Sequence, residues 1–151
     1  MKRLLEEPGY LLDPAVIHRQ EFGIKRLIYN DPRGRYKIDV FVDQLVMAHT
    51  VDLRHRLELT APTVPLVDLL LSKLQIHAIT ENDLIDLAVL LAEHDTGPGG
   101  TIDLEYLTQI LARDWGFYRS AADNLRAVSG VLDRFATLSA ASADAGRGRA
   151  R

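Results

Sequence analysis

The feature that most constrains this chain is a change of hydrophobic period at Pro65. Before it, apolar residues come in short β-branched and aromatic runs; after it, they recur at helical spacing. Strand-like segments followed by helix-like ones predict an α+β arrangement, a small sheet and then a helical bundle. "KRLIYN" and "RYKIDVFVD" flank "DPRG", whose proline and glycine form turns, so the two runs read as a hairpin. The second run has apolar residues on both faces, as a central strand covered on both sides does. "RLELT", residues 56–60, alternates Leu57 and Leu59 with Arg56 and Glu58 and reads as a third strand that "APTVP" ends.

Beyond Pro65, "PLVDLLLSKLQIHAI", residues 65–79, places Val67, Leu70, Leu71, Leu74 and Ala78 on one face. Asp68, Ser72 and Gln75 fall on the outer face. Thr80 followed by Asp83 resembles a capping box with Asp in place of Glu, and opens the helix "ENDLIDLAVLLAEH" with Leu84, Ala88, Leu91 and Ala92 inward. "DTGPGG" ends that helix, and two more are expected from about Asp103 to Ala112 and from about Tyr118 to Leu138. The sequence therefore predicts one domain over 1–138, with a sheet part at about 20–64, a helical part at about 65–138, and a disordered tail at 139–151.

The charge balance excludes some functions. Across 151 residues, 18 Lys and Arg stand against 21 Asp and Glu, a formal charge of -3 without the global basic field that advertises nucleic-acid binding. There is no cysteine, which removes disulfides, Cys-based zinc sites and thiol nucleophiles. "MKRLLEEPGY" lacks the apolar core of a signal peptide, and the longest apolar run, "LVDLLL", is interrupted by Asp68 and far too short to span a bilayer. A cytoplasmic protein without a membrane partner is expected.

Few residues stand out for chemistry. Asp39 sits in an apolar strand, where an ionised carboxylate costs several kcal/mol unless it is paired or bound to metal. It is either a divalent-cation ligand or the partner of an arginine such as Arg26 or Arg35. Asp43 is expected on the same strand face as Asp39, as a second metal carboxylate or the strand's polar end. Lys73 lies at the edge of the apolar arc, where it either snorkels to water or reaches into a pocket as a point charge for phosphate. Asp83 is a first-turn acid favoured by the helix dipole or a functional aspartate, and Asp86 lies on the polar face. The five histidines show no ligand spacing, and "DTGPGG" has no lysine and follows a helix, unlike a P-loop. "RDWGFYRS" either stacks a base between its arginines or plugs a small core. A nuclease reading with Asp39 and Glu58 as ligands is weaker, because Thr60 stands where an ExK-type motif places lysine.

Taken in order, "KIDVFVD", "RLELTAPTVPLVDLLLSKLQ" and "TENDLIDLAVLL" resemble the later part of a domain of the nucleotidyltransferase superfamily, relatives of DNA polymerase beta found among minimal and toxin-type bacterial enzymes. In that family a "LLxxKL" helix precedes a "KDxxDL" helix; here Asn82 replaces the second motif's lysine. The resemblance implies a mixed sheet with a helical bundle, and transfer of a nucleotide from a nucleoside triphosphate to a hydroxyl of a nucleic acid, protein or small molecule, with Mg2+. It implies catalytic roles for Asp39, Lys73 and Asp83, nucleotide contacts for Lys73 and Asp86, and metal ligation by Asp39 and Asp43. The family's Gly-Ser or Gly-Gly turn and Asp-x-Asp pair do not occur before Asp39. The chain thus reads as a shortened copy or as a degenerate domain, with a non-catalytic binding or regulatory module as the alternative.

Overall fold

The computed structural model describes residues 2–14, 26–97 and 99–148, with side chains from Arg3 onward and, in the last helix, as far as Arg134. Residues 20–25 of the expected sheet region and 149–151 of the tail lie outside them. The chain forms two compact units, Met1–Glu58 and Leu59–Arg151.

In the first unit, helix α1 (Lys2–Glu6) precedes strands β1 (Leu11–Leu12), β2 (Arg26–Asn30), β3 (Lys37–Phe41), β4 (Gln44–Val46) and β5 (Thr50–Asp52). β1, β2 and β3 form one sheet in that order, and β4 pairs with β5 in a second. All described pairings are antiparallel, so the expected mixed sheet is corrected: no strand here returns through a crossover helix. The hairpin forms as expected, with Asn30 opposite Lys37 and Arg26 opposite Phe41. Its turn closes when the Gly34 N–H donates to the Asp31 carbonyl at 2.8 Å, with Pro32 next in sequence and Gly34 at φ 67°, where a glycine meets no penalty. The Arg35 Nε also donates to the buried Asp31 carboxylate at 3.0 Å. Burial pushes that carboxyl up, yet the Arg35 hydrogen bonds outweigh burial and hold it below the usual range.

Alternation decides which strand is central. On β2, Leu27 and Tyr29 point into a small core with Leu5, Tyr10, Leu12, Ile38 and Val40 packed around them. β3, expected as the covered central strand, is instead an edge among the described residues; its Ile38 and Val40 are half-buried opposite Tyr29 and Leu27. "RLELT" is not a strand. Residues 54–58 turn, with the Arg56 N–H donating to the Leu53 carbonyl at 3.0 Å, and Leu57 and Leu59 are both exposed. The alternation there has neither a partner strand nor a core to face.

The second unit contains α2 (Leu66–Leu74), α3 (Glu81–Glu93), α4 (Leu104–Arg113) and α5 (Trp115–Gly148). α2 packs against all three of the others, as does α5. Val67, Leu70, Leu71 and Leu74 are buried as expected, but Asp68 and Gln75, assigned to an outer face, are 1% and 0% exposed. A helix enclosed by three neighbours has no fully wet face, and one-sided periodicity does not reveal the enclosure. α2 ends at Leu74 rather than near Ile79, because the buried Asn124 of α5 takes its terminal carbonyls: Nδ2 donates to Leu74 O at 3.0 Å and to Ile76 O at 2.8 Å. Ala78 accordingly falls past the helix and is exposed.

The capping box at α3 forms as read, with the Asp83 N–H donating to Thr80 Oγ1. Its buried arc is rotated from the expected one: Leu87 and Ala88 are buried, while Ala92 is exposed. Asp103 caps α4, accepting the Tyr106 N–H at 2.9 Å. α5 begins at Trp115, where the Asp114 carboxylate accepts the Phe117 N–H at 2.9 Å, and it continues to Gly148 through the segment expected to be a disordered tail. That segment is alanine-rich, and alanine costs a helix least.

Asn124→Ala leaves the buried Leu74 carbonyl and the part-buried Ile76 carbonyl without this donor, a penalty of roughly 1–3 kcal/mol. Urea or thermal unfolding followed by helical circular dichroism should show the helical unit melting several degrees lower; an unchanged midpoint would remove Asn124 from the account of how α2 ends.

Candidate functional site

The residues that the sequence singled out in the helical unit come together. Lys73 projects from the last turn of α2, and its Nζ donates to Asp83 Oδ1 and to Asp86 Oδ2, both at 2.8 Å. The spacing explains the grip: Asp83 and Asp86 stand three apart on α3 and so share a side, in its first two turns. Asp83 carries two duties, since its other oxygen accepts the Thr80 hydroxyl at 2.7 Å within the capping box. Lys73 is about a quarter exposed and Asp83 about a fifth, whereas Asp86 is 61% exposed.

The electrostatics follow from these contacts. The Lys73 ammonium, and after it the Thr80 hydroxyl, hold the Asp83 carboxyl below the ordinary aspartate range. Partial burial pulls the Lys73 ammonium down, but the hydrogen bonds to Asp83 and Asp86 overcome it and raise the lysine above its ordinary value. Both shifts favour the charged forms. Beside this cluster, Leu69, Val89, Leu90 and His94 join Lys73 and Asp86 in lining a cleft of about 390 Å³. A lysine with two carboxylates in hand offers an incoming phosphate much less than a free point charge does.

Asp39 and Asp43 belong to the first unit. Asp39 is paired with an arginine, the bland alternative that its position in the strand allowed. Arg26 Nη2 donates to Asp39 Oδ2 at 2.9 Å, and the same guanidinium lies 5.4 Å from the centre of the Phe41 ring. Register accounts for both contacts: Arg26 sits opposite Phe41, and Asp39 lies diagonally beside it on the same face. The carboxylate is about a third exposed rather than buried in a dry strand. Asp43 does not share Asp39's strand face, because β3 has already ended at Phe41 and Asp43 turns the chain with φ 63°. Among the described residues no group of three or more histidines, aspartates or glutamates is arranged to hold a metal ion. Asp39 and Asp43 are thus not joined by a third acid among the described residues into the Mg2+ site that the family resemblance implied.

One polar cluster escaped the sequence reading. Arg54 binds the Asp52 carboxylate through Nε, at 2.9 and 3.0 Å, and through Nη2, which drives that carboxyl far below its usual range. Next to it a cleft of about 340 Å³ is lined by Asp43, Arg54, His55 and Glu58, and both Asp43 and His55 hold left-handed backbone. The signal available in sequence was "VDLRH", an acid and a base two apart at a strand end. Compared with protein-family models, with curated proteins and with solved structures, the chain matches none.

The linkage has a definite sign. Asp83, lowered on folding, stabilises the helical unit above the ordinary aspartate pKa near 3.9, and the gain disappears as pH falls through its lower folded value. Lys73, raised on folding, stabilises below about pH 10.4, and that gain disappears as pH rises through the higher folded value. Denaturant midpoints should thus be level from about pH 5 to 10 as far as this cluster is concerned. Lys73→Met should lower the plateau, by leaving two carboxylates facing each other, and flatten both limbs. Identical profiles for the two proteins would show that the cluster contributes nothing to stability.

Proposed function

We propose that this chain is a nucleotidyltransferase-like protein that acts as a binding module, its described residues not assembling metal-dependent transfer. The observation that carries the reading is the Lys73 cluster. The "LLxxKL" helix and the "NDLIDL" helix, which carry the motif positions, bring Lys73 Nζ within 2.8 Å of both Asp83 and Asp86. The lysine's charge is committed to the two aspartates, and the Asp39 carboxylate to Arg26. In this reading the motif residues hold α2 against α3, and the molecule's task is recognition of a nucleic acid or protein.

A second reading keeps the reaction: transfer of a nucleotide from a nucleoside triphosphate to a hydroxyl acceptor with Mg2+. One observation favours it. Asp39 is a third exposed and held by a single arginine nitrogen, an ion pair of a kind worth little and open to competition from a cation.

Thermal unfolding of the full chain with each nucleoside triphosphate at about millimolar concentration plus Mg2+ separates the two. Ligand at about 100 times its dissociation constant adds roughly 2.7 kcal/mol, a shift of several degrees. The binding-module reading expects no shift. A shift abolished by Asp39→Asn or Lys73→Ala would overturn it in favour of a working nucleotide site.

A further inference from the structure

The corner between α4 and α5 exposes what a small helical unit normally buries. Trp115, at the start of α5, is 76% exposed, and Tyr118, one turn on, is 53% exposed. Phe117 lies between them at 1% exposure, so the aromatic cluster divides: one ring is core, and two are displayed. Three apart on a helix, Trp115 and Tyr118 lie on one side, and Arg119, four from Trp115, continues it. Arg113, the last residue of α4, is exposed and has no side-chain partner among the described residues.

The acids near these rings are already engaged. Asp114 spends a carboxylate oxygen on the Phe117 N–H. Asp123 is shared by Arg119 at 2.9 Å and Arg126 at 2.7 Å. Asp123, shared between two guanidiniums, balances them only in part, and Arg113 stands beside the two exposed rings. That composition suits a polyanion carrying flat rings, because bases stack on aromatic side chains while arginines meet the phosphates. It suits a second copy of the chain less well, since a two-fold contact through these rings would bring like-charged arginines together.

We propose that the α4–α5 corner is a docking face for single-stranded nucleic acid, with Trp115 and Tyr118 stacking bases and Arg113 and Arg119 holding phosphates. The face uses no residue of the Lys73 cluster and stands whether or not the nucleotidyltransferase-like reading does. Its charge is local, which is how a chain of net charge -3 carries it.

Trp115 is the chain's sole tryptophan, so its fluorescence reports this corner alone. The full chain is titrated at low salt with an unlabelled oligodeoxynucleotide and an oligoribonucleotide, each about a dozen nucleotides long, a length within the footprint of known single-strand binders. Saturable quenching by either strand is expected, weakening as salt rises. Tyr118→Ala should weaken binding by roughly fivefold or more, and Arg113→Ala should reduce the salt dependence. Both positions are exposed, and a cooperative melt checks that each variant folds. No quenching by either strand up to about 100 µM, the weak end of non-specific binding, would overturn the proposal. So would quenching that both variants leave unchanged. A tryptophan signal that moves with protein concentration alone, with a dimer seen by light scattering, would assign the face to a second copy instead.

Discussion

Helix α2 ends with carbonyls that have no further turn of helix to bind, one of them buried at Leu74 and one part-buried at Ile76. Asn124 meets Leu74 O and Ile76 O with a single amide group, fifty residues further along the chain. An orphaned carbonyl there would be expensive, so the amide fixes two things together: where α2 stops, and how α5 is set along it. With α5 in place, α2 becomes the enclosed helix of its unit, and Asp68 and Gln75 go inside with its leucines. The short α2 also sends the chain directly to Thr80, which begins α3 close enough for Asp83 and Asp86 to reach Lys73.

That lysine gives the two helices an electrostatic tie as well as an apolar one. Asp83 is bound on one oxygen by Lys73 and on the other by Thr80, so the cap of α3 and the clamp between helices share one side chain. Such an arrangement is sensitive at one point: loss of the lysine leaves Asp83 and Asp86 facing each other uncompensated. In the sheet unit the Arg26–Asp39 pair plays the corresponding part on a smaller scale, and Phe41 supports the guanidinium that makes it.

Local rules were enough for the hairpin, the capping box and the buried leucines of α2. Each rests on neighbours in sequence: Pro32 and Gly34 for the turn, Thr80 and Asp83 for the cap, helical spacing for Val67, Leu70, Leu71 and Leu74. What escaped was set by contacts far along the chain. Nothing near Gln75 announces that α5 covers it, and nothing near Ile76 announces Asn124. "RLELT" has the alternation of a strand but meets no partner, and β3's apolar composition said nothing of its place at a sheet edge. In the candidate site, motif order found Lys73, Asp83 and Asp86, which prove to be mutual neighbours. It did not find their state of charge pairing, nor Asp43's left-handed turn, nor Arg54's hold on Asp52. The exposure of Trp115 was equally hidden, since the same aromatic cluster serves as a core plug at Phe117.

β3 leaves one edge unpaired among the described residues, and "KIDVFV" is the kind of apolar, β-prone run that another chain adds to readily. Lys37 and Asp39 are its two charged positions, both on the same face, and every approaching strand would have to accommodate them. Polymerisation by edge addition needs long stretches without charge, and here Lys37 and Asp39 flank Ile38. A carboxylate considered as a metal ligand thus also puts charge on the open edge of an apolar strand, as gatekeeper residues do.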